Sequence, residues 1–195
     1  QLSFFQQNTR NYLHLFLRYG GDLGAYGALQ VPFGLNDQRT TAGASDLLMS
    51  VSLNTFFWER VGVVFGGFYR IFRSAHKDEF DANSTDELAG SLRLNFAILK
   101  YFQQSVEFTA QRTYPKGIQP DLLRQISPAV FKFSLMPALV SGPENFPDFA
   151  LRLVYTYTTT NEDMKYLYPP EDLRFQTRNY HFFGLQAEWL FEIRL

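Results

Sequence analysis

The C-terminal stretch His181–Leu195, HFFGLQAEWLFEIRL, alternates between two kinds of side chain. The residues of one face are apolar: Phe183, Leu185, Ala187, Trp189, Phe191, Ile193 and Leu195. The residues of the other face are Gly184, Gln186, Glu188, Glu192 and Arg194, with Leu190 as the exception. A period of two predicts a β-strand. About fifteen residues span roughly 50 Å, which is long for a globular strand and typical of a tilted strand that crosses a membrane.

A terminal strand of this kind is typical of an outer-membrane β-barrel, and the alternative is a long edge strand of a soluble β-sandwich. The composition favours the barrel. Aromatic residues make up 17% of the chain, and no run of apolar residues is long enough for a transmembrane helix. The net charge of -1 argues against a nucleic-acid partner, and the absence of cysteine excludes disulfides and thiolate metal sites.

Nine segments of the chain carry strand patterning. They are Thr9–Tyr19, Gly24–Val31, Ser45–Thr55, Val61–Phe72, Glu87–Leu99, Phe102–Arg112, Leu123–Met136, Phe149–Thr158 and Tyr180–Leu195. Most show one apolar and one polar face, as in Ser45–Thr55, where Leu47, Met49 and Val51 alternate with Asp46, Ser50 and Ser52. We therefore predict an all-β, antiparallel transmembrane barrel of the outer-membrane type, with about nine strands in this chain.

The connections between these segments alternate in length. Short turns are predicted at Gly20–Leu23, Phe56–Arg60, Lys100–Tyr101 and the SGPEN stretch, and long polar connections at Pro32–Ala44, Arg73–Asp86, Thr113–Leu122 and Thr159–Asn179. Outer-membrane barrels have short periplasmic turns and long external loops. Aromatic residues near the short turns would form an interfacial girdle: Tyr19, Phe56, Phe57, Trp58, Tyr101 and Phe102. The alternative for these rings is simple core filling.

An odd number of strands does not suit a bacterial single-chain barrel. We therefore expect residues 1–195 to form a single β-barrel domain that is half of a larger barrel. Eight strands could close alone, but side chains would then fill the interior. The predicted inward set mixes glycine and serine with charged residues, which suits a water-filled lumen better. A barrel protein must be exported, and the sequence begins with neither a methionine nor a signal peptide. We expect a processed N-terminus or a piece of a longer protein.

Several stretches resemble the maltoporin family of sugar-specific porins. They are RNYLHLFLRYGGD from Arg10, GSLRLNFAILKYFQQSVEFTAQRTYP from Gly90, FKFSL from Phe131, SGPENFPDFALRLVYTYTTTNED from Ser141 and FGLQAEWLF from Phe183. Each motif is weakly specific, but they occur in the family's order and cover most of the chain. The family's barrels have eighteen strands and form homotrimers, so the resemblance implies the C-terminal half of such a barrel.

The resemblance also implies a function. The family passes maltooligosaccharides along a slide of inward aromatic rings, flanked by charged residues that exchange hydrogen bonds with sugar hydroxyls. The match places Tyr12 at a slide aromatic, Arg93 and Arg152 at inward arginines, and Glu188 at an inward acidic residue. Two departures concern the periplasmic end of the slide: Leu190 stands where the family has a tryptophan, and the region around Phe146 lacks another.

Strand parity and the resemblance together give a candidate channel lining. Its residues are Tyr12, Phe16, Arg18, Arg70, Arg93, Glu107, Lys132, Arg152 and Glu188. A pyranose suits such a lining because its C–H faces stack on rings and its hydroxyls suit charged donors and acceptors. We expect a passive, sugar-selective porin in the outer membrane of a Gram-negative cell. Its expected partners are oligosaccharide, membrane lipid, lipopolysaccharide and further copies of the chain, with no cofactor.

Three alternatives remain open. A general diffusion porin would use the same inward charges only to set a transverse field. A small closed barrel would have a receptor or structural role. An outer-membrane enzyme finds little support, because His14, His76 and His181 are scattered and form no metal or triad pattern. The acidic cluster Asp78, Glu79, Asp81, Asp86 and Glu87 fits a solvated loop better than a Ca²⁺ site, since it lacks a calcium-loop signature.

Overall fold

The computed structural model describes residues 2–5, 11–26, 31–57, 60–77, 83–119, 122–142 and 148–189, with the backbone alone for the first of these ranges. Its strands are β1 (Leu2–Phe5), β2 (Tyr12–Gly21), β3 (Ser45–Phe57), β4 (Val61–Arg73), β5 (Thr85–Leu99), β6 (Phe102–Pro115), β7 (Ala129–Val140), β8 (Phe149–Thr160) and β9 (Asn179–Trp189). Two 3₁₀ helices, Asp22–Ala25 and Glu162–Leu167, and one short α-helix, α1 (Leu173–Gln176), lie in the connections.

The nine strands form one antiparallel sheet in chain order, in which each strand pairs with the next. This confirms the predicted all-β antiparallel fold. Residues that stand opposite each other in an antiparallel pair lie on the same face, so the register carries one parity across the whole sheet. Leu47 of β3 stands opposite Ile71 of β4, and Ser91 of β5 stands opposite Thr109 of β6. The sheet therefore has one continuous apolar face and one continuous polar face.

Burial is inverted between these two faces. The largest fully buried side chains are all polar: Gln103, Asn95, Asp46 and Ser105. By contrast, Leu17, Leu153 and Leu185 of the apolar face are exposed. A water-soluble domain shows the opposite distribution, and a large exposed apolar surface marks contact with a membrane or a partner. The polar face is thus the inner one, and the apolar face is the outer wall.

No helix in the described part of the chain is long and apolar enough to cross a membrane.

The predicted strand Gly24–Val31 is wrong for its first residues. Gly24 and Ala25 belong to the first 3₁₀ helix, and residues 27–30 lie outside the described part of the chain. Asp22 has a φ of 50°, and its N–H donates to the Ala44 carbonyl at 2.8 Å. A Cβ on Gly20 would lie only 2.5 Å from the Gly24 carbonyl oxygen. The chain therefore turns sharply after β2, and β2 pairs directly with β3.

This correction changes the first connection from a short turn to a long one. The predicted short turn Gly20–Leu23 is instead the start of a long connection, residues 22–44, that joins β2 to β3. The count of nine strands is kept because β1, which the pattern did not predict, pairs with β2. The other strands match the predicted segments with shifted ends, most of all β7, which begins at Ala129 rather than Leu123. Leu123 has a φ of 50° in a turn where Gln119 pairs with Arg124.

The alternation of connection lengths holds in the structure. Residues 58–60, 100–101 and 141–148 join strands at one edge of the sheet, and residues 22–44, 74–84, 116–128 and 161–178 join them at the other. Phe57 and Tyr101 are exposed at the short-turn edge, where the aromatic girdle was predicted. Tyr19 is also exposed but lies at the long-loop edge, so its placement at a short turn was wrong. Phe56 stands opposite Gly62 on the polar face, and Trp58 lies outside the described residues.

The long connections are tied to one another. Arg124 Nη2 lies 2.6 Å from Asp163 Oδ1, and the Ser127 N–H donates to Asp163 Oδ2 at 2.8 Å. The Arg124 guanidinium and, to a smaller extent, the Ser127 N–H hold the pKa of the Asp163 carboxyl below its usual range, although partial burial opposes them. These bonds join the loop between β6 and β7 to the loop between β8 and β9.

We expect a charged side chain on the outer wall to destabilise the protein in the membrane. Leu94→Arg or Leu153→Arg should cost about 2–4 kcal/mol near the bilayer midplane, because the guanidinium would lie in hydrocarbon. Ser91→Arg on the polar face should cost far less. Reversible folding into lipid vesicles measures these free energies. Equal costs on the two faces would contradict the assignment of inner and outer faces.

We also expect the tie between the two loops to depend on pH. A lowered folded pKa means that the contact stabilises the loops above the ordinary aspartate pKa of about 3.9 and is lost as the pH falls through the lowered value. The Ser127 amide proton shift, followed by NMR in detergent, should titrate with a midpoint below that ordinary value. Arg124→Gln should move the midpoint up, and Asp163→Asn should abolish the titration. A midpoint that Arg124→Gln leaves unchanged would contradict the assigned cause.

Candidate functional site

All nine predicted lining residues lie on the polar face. The register places them there from strand to strand: Tyr12, Phe16 and Arg18 on β2, Arg70 on β4, Arg93 on β5, Glu107 on β6, Lys132 on β7, Arg152 on β8 and Glu188 on β9. Alternation along each strand is thus sufficient to sort these side chains to one face. Their function as sugar contacts stays a prediction.

Asp46 joins two of the predicted arginines. Its side chain is 0% exposed, and its two oxygens accept hydrogen bonds from Arg18 Nη2 and, at 2.6 Å, from Arg70 Nε. Burying a carboxylate is costly unless it is paired, and two guanidinium partners supply that compensation. Asp46 holds the two arginines side by side on β2 and β4 with part of each guanidinium accessible. Sequence reasoning did not select Asp46, although its parity places it on the polar face.

Arg93 and Glu107 form a second pair. They stand directly opposite each other on β5 and β6, and Arg93 Nε donates to Glu107 Oε2 at 2.7 Å. Both side chains are partly exposed, so the pair contacts solvent on the polar face. A cross-strand pair of this kind fixes the positions of both charges and leaves little net charge.

The third pair is Arg152 with Glu188. Arg152 Nη1 donates to Glu188 Oε2, and Gln186 Nε2 donates to the other carboxylate oxygen at 2.7 Å. The Arg152 side chain is only 3% exposed, whereas that of Glu188 is 42% exposed. The carboxylate of Glu188 and the amide of Gln186 are therefore the groups that a solute in the lumen would reach first. Arg152 neutralises and positions them from behind.

Hydroxyl groups lie between the charged pairs. The Thr109 hydroxyl donates to Ser91 Oγ at 3.2 Å, and Ser134 Oγ lies 2.8 Å from Thr156 Oγ1. Each of these bonds joins residues that stand opposite each other on neighbouring strands. Sequence alternation placed the four residues on the polar face but did not identify them as a site. Only the register, which is a relation between strands, brings them together.

The aromatic part of the predicted lining lies on β2. Tyr12 and Phe16 are half-buried, and His14 lies between them on the same face with its ring centroid 4.8 Å from that of Tyr12. Lys132 of β7 is exposed and stands opposite Thr109 and Thr158. These side chains add rings and one ammonium group to the polar face.

The connection between β2 and β3 packs onto the polar face at its long-loop edge. The ring centroids of Tyr26 and Phe33 in this connection each lie 5.5 Å from that of Phe72 on β4, and 5.3 Å from each other. Gly34 has a φ of 56°, and a Cβ there would lie 2.7 Å from the Ser74 Cβ. Its carbonyl accepts from the His76 N–H at 2.9 Å. The loop therefore covers part of the inner face at this end, which the sequence pattern did not predict.

The described residues contain no group of three or more histidine, aspartate or glutamate side chains that could hold a metal ion. Within the predicted acidic cluster, Asp86 pairs with Arg73 at 2.7 Å and with Lys116 at 2.5 Å. Asp78, Glu79 and Asp81 lie outside the described residues. Asp86 thus acts in a surface ion-pair network.

Two comparisons with known proteins were informative about this chain. No curated protein matches the chain with significance. The sequence model of the LamB porin family does match, over residues 2–190, which is most of the chain. That family is a family of channels and transporters, and the all-β antiparallel sheet of this chain is consistent with it. The chain belongs to the LamB porin family.

Proposed function

We propose that the chain lines a water-filled outer-membrane channel that gives passive, sugar-selective diffusion of maltodextrin-like oligosaccharides. The observation that carries the proposal is the pairing of charges on the polar face. Arg93 with Glu107, and Gln186 with the Glu188 that Arg152 neutralises, offer donors and acceptors to hydroxyl groups, while the charges of each ion pair largely cancel. Rings at Tyr12 and Phe16 lie on the same face. Transport by such a lining requires binding that is repeated and weak.

The runner-up is a general diffusion porin without sugar specificity. It would use the inward charges to set a field across the lumen. Local pairing argues against this use for Arg93 with Glu107 and for Arg152 with Glu188, because a carboxylate within hydrogen-bond distance of a guanidinium cancels most of its field at longer range. The two candidates make different predictions for oligosaccharide block of ion current.

We propose further that residues 1–195 are the C-terminal half of an 18-stranded barrel that assembles as a homotrimer with lipopolysaccharide at its outer rim. Among the described strands, β1 and β9 each pair with one neighbour only. Hydrocarbon offers no hydrogen bonds to an open edge, so both edges need a partner strand within the membrane. Mutual closure of β1 and β9 would give the smaller barrel of the alternative hypothesis, and size-dependent conductance separates the two.

The long connections should face the cell surface and the short turns the periplasm. A tag inserted after Tyr168, in the connection between β8 and β9, should be accessible in intact cells. A tag between Lys100 and Tyr101 should become accessible only after the outer membrane is permeabilised. The reverse pattern would overturn the proposed orientation.

Sugar selectivity predicts saturable block of ion current by oligosaccharide through the reconstituted channel. Tyr12→Ala should weaken the block about two- to tenfold with little change in conductance, because ring stacking contributes roughly 0.5–1.5 kcal/mol. Leu13→Ala, on the outer face of the same strand, is the matched control. Arg152→Ala should change both sugar affinity and cation selectivity, since it leaves the Glu188 charge unpaired.

Current that no oligosaccharide blocks, together with permeation that depends on solute size alone, would remove the sugar-selective function and leave the general porin in its place.

A further inference from the structure

An aromatic ring outside the predicted lining stands on the polar face of β9. Phe182 lies directly opposite Thr156 of β8, and the register gives both residues the parity of Gln186 and Glu188. Phe182 is 59% exposed. Other rings of this face, such as Tyr12 and Phe16, are half-buried, whereas most of the Phe182 side chain is accessible. Such a residue is a candidate ligand contact.

Gly184 determines how this ring lies. A Cβ on Gly184 would be 2.8 Å from both Cε1 and Cζ of Phe182, so the ring occupies the space that a side chain would take. The backbone of Gly184 does not require glycine by its φ. The glycine instead leaves room for the Phe182 ring to lie along the strand, close to the wall. The Cε1–Cζ edge of the ring lies over position 184, and the 59% exposure of the residue leaves most of the side chain accessible from the lumen.

Polar groups continue the row beyond the ring. Gln186 follows Gly184 on the same face, about 7 Å further along the strand. Its amide donates to Glu188, whose carboxylate also accepts from Arg152. On the neighbouring strand, the Thr156 hydroxyl is hydrogen-bonded to Ser134. The Phe182 ring thus lies between the Ser134–Thr156 hydroxyl pair and the Gln186 amide with the Glu188 carboxylate. Hydrogen bonds hold these polar groups in place.

We propose that Phe182, held over Gly184, is a carbohydrate-stacking platform in the lumen. It takes one pyranose of an oligosaccharide through the sugar's C–H face, while Gln186, Glu188 and Thr156 meet the hydroxyl rim. The platform rests on the proposed function, because it gives a sugar-selective channel a specific subsite. Stacking favours gluco-configured units, whose hydroxyls are equatorial and leave the ring faces apolar.

The chain provides a matched control in the next residue. Phe183 is the same residue type, is 76% exposed and lies on the outer face of the same strand. Phe182→Ala should weaken oligosaccharide block about two- to tenfold and leave the conductance of the open channel nearly unchanged. Phe183→Ala should leave the block unchanged. Gly184→Ala should weaken the block in part, because its methyl group displaces the ring.

A second measurement reports on the ring directly. Phe182→Trp should retain the block, and its fluorescence should change on saturation with maltotriose, whereas Phe183→Trp should show no saturable change. Block that Phe182→Ala leaves intact, or that Phe183→Ala weakens equally, would overturn the platform while the sugar-selective function stands. A wild-type channel that no oligosaccharide blocks would remove the function and the platform together.

Discussion

The absence of hydrogen-bond partners in hydrocarbon is the constraint on which this structure depends. Every strand from β2 to β8 pairs on both sides, so their peptide groups are satisfied within the sheet. Once the backbone is paired in this way, the alternation of side chains alone determines which residues face lipid and which face water. The exposed leucines of β2 and β8 and the buried Asn95 and Gln103 are two results of that one constraint.

The charges of the inner face must also be held in position. Without local partners, the charged side chains would bind counter-ions or fold back onto the wall. Asp46 is fully buried between two arginines, and Arg152 is buried behind Glu188. In each case a buried charge orients the more exposed one. The exposed groups therefore keep their positions without a ligand, so the lining proposed for sugar passage is ordered before any solute arrives.

Sequence alternation predicted the antiparallel fold, the alternating connections from β3 onward and the face on which each lining residue lies, since all three follow from the period of two and the turn positions. It failed at Gly24–Val31, where an apolar pattern without strong polar alternation mimicked a strand. The turn there depends on contacts from Asp22 to Gly43 and Ala44, which no local pattern reveals. Asp46, the hydroxyl pairs and the Tyr26–Phe33–Phe72 cluster were missed for the same reason: each is a relation between separate strands or loops.

Glycine placement gives the inner face its shape. Gly66 on β4 meets nothing within 4 Å at its missing Cβ, so it opens space, whereas Gly184 on β9 gives its space to the Phe182 ring. The same residue type thus widens the lumen at one position and lays a ring against the wall at another. A ring that occupies the space left by a glycine adds apolar surface. It narrows the passage less than a ring that lies above another side chain. The sugar-selective channel proposed above would gain from that combination, because a ring that projected into the lumen at the same place would obstruct the solute.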